Sequence, residues 1–162
     1  MSVSDLVILE GDYGRFEEIM GRLRDDANAK LVFLVDKNGQ QIAFSGELNG
    51  IDATSLGSLT AGNVAATDGL AKLIGENEFS ILFHEGERDN LHINVVGRRT
   101  ILVVMFDERS SLGLVRLRVK KATVELSAVF EEIAARSEAE RAGIGSSPFA
   151  EITDDDIDAL FS

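Results

Sequence analysis

The chain has 162 residues, 44% of them hydrophobic and 27% charged, which suits one compact domain with a modest appendage and excludes two large ones. Sixteen Lys and Arg against 28 Asp and Glu leave a net charge of -12, which repels phosphate backbones and anionic headgroups and makes nucleic acid and membrane surfaces poor partners. With no Cys there is no disulfide framework and no thiolate metal site, and two His, at 84 and 92, could supply only a sparse metal shell. The N-terminus lacks the basic stretch, apolar core and small-residue site of a signal peptide, and no apolar run approaches the ~20 residues of a membrane span. The expectation is a cytoplasmic protein without integral membrane association.

Ser2 to Gly11 contain a short apolar run, Leu6 to Leu9, that could serve as an edge strand or a tether, so residues 1–11 are set apart. From Asp12 the spacing predicts a helix over about 12–28, with Phe16, Ile19, Met20 and Leu23 on one face and Arg15, Glu17, Glu18, Arg22 and Arg24 on the other. Two β-prone runs follow, Leu31 to Val35 and Gln41 to Ser45. They are joined through Asn38-Gly39, a pair that predicts a hairpin with positive φ at both positions. The first run does not alternate, which implies that both of its faces are covered. Asp52 to Ile74 reads as a second helix, with Leu56, Leu59, Asn63, Ala66, Leu70 and Leu73 recurring at steps of three and four and Gly75 as its stop.

Strands are then expected at Glu78 to Phe83, Leu91 to Val96 and Thr100 to Phe106. In the middle one Leu91, Ile93 and Val95 alternate inward, and His92 and Asn94 outward. The third long helix, about Ser110 to Arg136, carries Leu112, Val115, Val119, Ala122, Leu126, Val129 and Ile133 along one face. With the helices included, residues 12–136 form an α+β domain, an α/β/α sandwich around a five-stranded antiparallel sheet. Residues 137–147 read as a flexible linker and 148–162 as an acidic amphipathic segment.

Three features stand out. The second helix has a row of small side chains, Ser58, Gly62, Ala65 and Gly69, with Ala66 beside it. The row either packs closely on the sheet or leaves a flat face for another helix or protein, and three glycines inside the helix, at 57, 62 and 69, cost about 1 kcal/mol each relative to Ala unless something offsets them. The third helix concentrates Arg116, Arg118, Lys120 and Lys121, which Arg15 could join, as a solvated face or as a patch for an acidic partner or the protein's own tail. From residue 137 onward seven acids and one Arg carry half of the net charge of -12. In that tail Phe149, Ile152, Ile157, Leu160 and Phe161 interleave with Asp154, Asp155, Asp156 and Asp158, a pattern open to three readings: a solvated end, a docking helix, or a hard-cation site that lacks the EF-hand's Gly and Glu positions.

The stretches DANAKLVFLVDKNGQ, IDATSLGSLTAGNVAATDGLAKLIGENEF, SLGLVRLRVKKA and SPFAEITDDDID closely resemble the bacterial MglB family of Roadblock proteins, over nearly the whole chain. The resemblance implies a Roadblock/longin-like fold and a homodimer formed through the second helix and an edge strand. It further implies a GTPase-activating protein for a Ras-like GTPase of the MglA type in its GTP form, working in cell polarity and motility, without an arginine finger, at a cell pole through its partners. A passive Roadblock adaptor is the alternative. The residues are consistent with a protein that has no catalytic site or cofactor of its own: there is no phosphate-binding loop, no Gly-x-Ser-x-Gly elbow and no His-Glu-x-x-His, and His84 and His92 read as surface residues.

Overall fold

Among the described residues, three helices and five strands follow in the order α1 (Glu10–Ala27), β1 (Leu31–Asp36), β2 (Gln41–Gly46), α2 (Ala53–Leu73), β3 (Ile81–Glu85), β4 (Asn90–Val96), β5 (Thr100–Phe106) and α3 (Leu112–Gly145). The computed structural model describes residues 8–97 and 99–145. The strands form one antiparallel sheet in the order β2-β1-β5-β4-β3, with β2 and β3 at its edges.

Helices α1 and α3 cover one face and α2 the other. The uninterrupted apolar run of β1 follows from that, because Val32 and Leu34 join the core under α1 and α3 while Phe33 and Val35 join the core under α2. The first core takes Phe16, Ile19, Met20 and Leu23 from α1 and Val115, Val119, Ala122, Leu126, Val129 and Ile133 from α3, the rows that the three-four spacing picks out. The second is smaller, with Ile93, Val95, Ile101 and Val103 beneath Val64.

The β1–β2 turn differs from the expected one. Gly39 alone takes positive φ, at 91°, and Asn38 does not, because the Asp36 carboxylate organises the loop by accepting the Asn38 and Gln40 amides at 2.9 Å each. The register slips between Leu34 and Val35, as a turn with a glycine bulge requires. Gly39 also lets α2 approach: a Cβ on Gly57 would lie 2.4 Å from the Gly39 carbonyl oxygen. Of the three glycines in α2, Gly57 is therefore needed for packing within the chain.

Other boundaries shift. The strand expected from Glu78 begins at Ile81 and runs to Glu85. Ile8 packs against the first core, and Glu10 and Gly11 already belong to α1, so no strand is formed at 8–11; residues 1–7 lie outside the described residues. Helix α3 continues through Gly145, so residues 137–145 are helix where a flexible linker is expected, in keeping with the helix-favouring Glu138, Ala139, Glu140, Arg141 and Ala142. The continuation is anchored. The Arg136 guanidinium pairs at 2.5 Å with the carboxylate of Asp12, which is 4% exposed and also accepts the Leu9 amide at 2.8 Å. The Arg136 hydrogen bond is the main cause that holds the Asp12 carboxyl below its ordinary range.

His92 is buried, at 1% exposed, and not a surface residue. Alternation marks exposure only where one face of a sheet is bare, and here the face carrying His92 and Asn94 lies against α3.

Candidate functional site

Helix α2 begins at Asp52, which accepts the Thr54 amide at 3.3 Å and the Ser55 hydroxyl at 2.7 Å; the Ser55 bond leads in lowering the Asp52 carboxyl. Its inward face is built of Gly57, Thr60, Ala61, Val64 and Ala71. Leu59, Leu70 and Leu73 from the row read as the apolar face point to solvent instead, at 74%, 59% and 83% exposed, with Ile74 beside them at 69%. Small residues bring α2 down onto the sheet and turn the leucines outward.

The row of small side chains is on this open face. Ser58, Gly62, Ala65, Ala66 and Gly69 are all exposed or partly so. A Cβ built on Gly62 or Gly69 would meet nothing within 4 Å, so close packing on the chain's own sheet does not account for either glycine. The face is therefore flat, apolar and uncovered, as an interface would be. Edge strand β3 lies beside it, hydrogen-bonded to β4 on one side; its Ile81 and Phe83, 45% and 38% exposed, share the opposite face of the sheet with Asn94 and His92. His84 is exposed on β3, and its Nε2 lies 2.9 Å from Asn63 Nδ2 on α2, which ties the helix to the edge strand.

The basic residues do not form one patch. Arg116 and Lys120 line a groove between α3 and the β3–β4 hairpin. Arg118 and Lys121 sit at the seam of α1 and α3, around a small hollow with Arg22, Asp26 and Glu125. Arg15 is bound to Glu132 at 2.5 Å, several turns away. Steps of 100° per residue put 116 and 120 on one flank of the helix and 118 and 121 on the other, so this division is present in the spacing. The docking residues Phe149, Ile152, Asp154, Asp155, Asp156, Ile157, Leu160 and Phe161 lie outside the described residues.

Leu59, Leu70, Leu73 and Ile74 on α2 are surface residues of the candidate site that sequence reasoning did not read as exposed. The available signal was that α2 is apolar on more than one side, which a helix on one face of a sheet does not need. Among the described residues no group of three His, Cys, Asp or Glu could hold a metal ion, and no helix is long and apolar enough to cross a membrane.

Residues 15–106 match the Roadblock/LC7 domain, and the chain belongs to that family. Among solved structures it is similar to Myxococcus xanthus MglB, with 59% identity and a TM-score of 0.75 over 79% of this chain and 96% of that one. It is also similar to the gliding protein MglB of Thermus thermophilus, at 35% identity and TM-score 0.71 over 78% of this chain and 96% of that one. An MglB described with a tetrameric arrangement matches at 34% identity and TM-score 0.72, over 79% and 96% of the two chains. A comparison with curated proteins finds no match.

Proposed function

We propose that this Roadblock protein is a cytoplasmic homodimer that binds an MglA-type Ras-like GTPase in its GTP form and activates hydrolysis, in the control of cell polarity and motility. The observation that carries this reading is the outer face of α2, where Gly62 and Gly69 stand in open space among exposed leucines. Such a face allows close approach by a second helix or a partner's flat surface, and edge strand β3 beside it offers backbone groups for pairing with a second copy. The identity to MglB proteins supports the choice of partner.

The composition of this surface supports a mechanism without an arginine finger. Helix α2 contains no arginine, and Arg15, Arg116 and Arg118 belong to α1 and α3, which cover the opposite face of the sheet. No arginine finger is available from the platform. Activation would come from tighter binding to the conformation in which the GTPase's own switch residues are aligned, which shifts its population toward the reactive state. Removing a finger costs roughly 10³–10⁵ in rate, so the two mechanisms separate cleanly.

Single-turnover GTP hydrolysis by an MglA-type GTPase, with and without this protein, tests the proposal. Stimulation is expected. It should vanish in Ala65→Arg and Gly69→Arg with the circular dichroism of the fold retained, and persist within about tenfold in Arg15→Ala, Arg116→Ala and Arg118→Ala. Binding without stimulation would instead assign a passive adaptor.

A further inference from the structure

A groove of ≈ 450 Å³ runs between α3 and the β3–β4 hairpin, on the face of the sheet opposite α2. Its apolar wall is Ile81, Val119 and Val124, and the exposed side chains of Leu117 and Val124, 60% and 69% exposed, extend that wall along the outer surface of α3. Asn94 donates to Thr123 at 3.1 Å within it. His92 lines it as well, 1% exposed, with both ring nitrogens lacking a hydrogen-bond partner among the described residues. Arg116 and Lys120 stand on its flank, and among the described residues neither is paired with a carboxylate, whereas Arg15, Arg22, Arg109 and Arg136 all are. A buried imidazole and two cations beside an apolar trough suit a ligand that is both apolar and anionic.

We infer that the groove is a docking site for this chain's own C-terminal segment, with Ile157, Leu160 and Phe161 on the apolar wall and the neighbouring carboxylates of Asp154, Asp155, Asp156 and Asp158 facing Arg116 and Lys120. Residues 146–162 contain five carboxylate side chains and no Lys or Arg, so their charge is opposite to that of the groove's flank. Reach selects the part of the tail. Helix α3 carries the chain about 30 Å from Val124 to Gly145 at 1.5 Å per residue. Phe149 can return at most about 14 Å from Gly145, too short, while Ile157 to Phe161 can return about 40–55 Å, enough to regain the groove beside the same helix. A tail held there is withheld from any other surface until a partner competes for it. The inference does not depend on what binds α2.

The absence of Cys makes a direct test possible in the full chain. Val124→Cys with Leu160→Cys should form an intramolecular disulfide under mild oxidation at least about tenfold faster than the control pair Glu18→Cys with Leu160→Cys, because docking raises the effective concentration at the groove alone. Glu18 is exposed on α1, away from the groove. Arg116→Glu with Lys120→Glu should remove the advantage, and adding Asp154→Lys, Asp155→Lys and Asp156→Lys should restore it, which no general loss of structure would do. Equal rates for the two pairs would overturn the proposal. So would a disulfide found only between chains, which would assign the groove to a second copy's tail.

Discussion

Glycine has opposite meanings at two positions of the same helix. At Gly57 a methyl group would strike the Gly39 backbone at 2.4 Å, so Gly57→Ala must push α2 away from the β1–β2 turn and should destabilise the protein by about 1–3 kcal/mol. At Gly69 the same change meets open space and removes the conformational freedom of glycine, so Gly69→Ala should stabilise the isolated fold by about 0.5–1 kcal/mol. Chemical denaturation of both variants checks the pair of signs, and a destabilised Gly69→Ala would show that this position is part of the core. His92 gives a second measurable effect. Burial first, and then the Arg116 charge, lower its pKa from 6.5, so the ring stays neutral in the fold while the unfolded chain takes up a proton. Stability should therefore be full above pH 6.5 and decline as pH falls below it. Thermal melts between about pH 7 and pH 5 should show that slope in the parent chain, and less of it in His92→Leu.

Between elements, the Asp12–Arg136 pair fixes the start of α1 to the later turns of α3. Asp12→Asn keeps an acceptor for the Leu9 amide but loses the charge that Arg136 meets, and Arg136 is a third exposed, so the cost should be moderate, about 1–3 kcal/mol. Because the Asp12 pKa is depressed below 3.8, this contribution is complete above that value and lost as pH falls through the folded-state value, so the variant's acid unfolding should be shallower. Urea titrations at about pH 7 and pH 3 check both parts. The elements themselves were legible because their rows are consistent: α1 and α3 each bury the residues that the three-four spacing marks, and the unbroken β1 run is covered on both faces. The orientation of α2 was not legible. Hydrophobic periodicity assumes that the apolar side is the inner one, and α2 buries Gly57, Ala61 and Ala71 while exposing Leu59, Leu70 and Leu73. A helix with leucines on its solvent side breaks that assumption. His92 was misplaced for a related reason, since a strand between two helical layers has no outer side.

For the whole molecule, the proposed tasks fall on opposite faces of one sheet: α2 and edge strand β3 for a second copy and a GTPase, and the α3 groove for the tail. The tail's role in partner binding can be isolated only if the cut respects the fold. Truncation after Arg136 would remove Ser137, which is 3% exposed, and the rest of α3 with it. The cut belongs after Gly145, the last described residue of α3. That truncated chain should keep the oligomeric state of the full protein, because neither α2 nor β3 is touched, and light scattering at matched concentration checks this. Its affinity for the GTPase should fall if the tail makes a second contact, since a linked segment acts at a high effective concentration without any new contact at the platform. The tail's carboxylates supply the salt-dependent part of that contact, so the truncated protein's residual binding should vary less with ionic strength than the full chain's. Titrations at low and high salt separate the outcomes: equal affinity of the two proteins at every salt concentration would leave the tail with no part in GTPase binding, and a fall at low salt that closes at high salt would assign it to electrostatic docking.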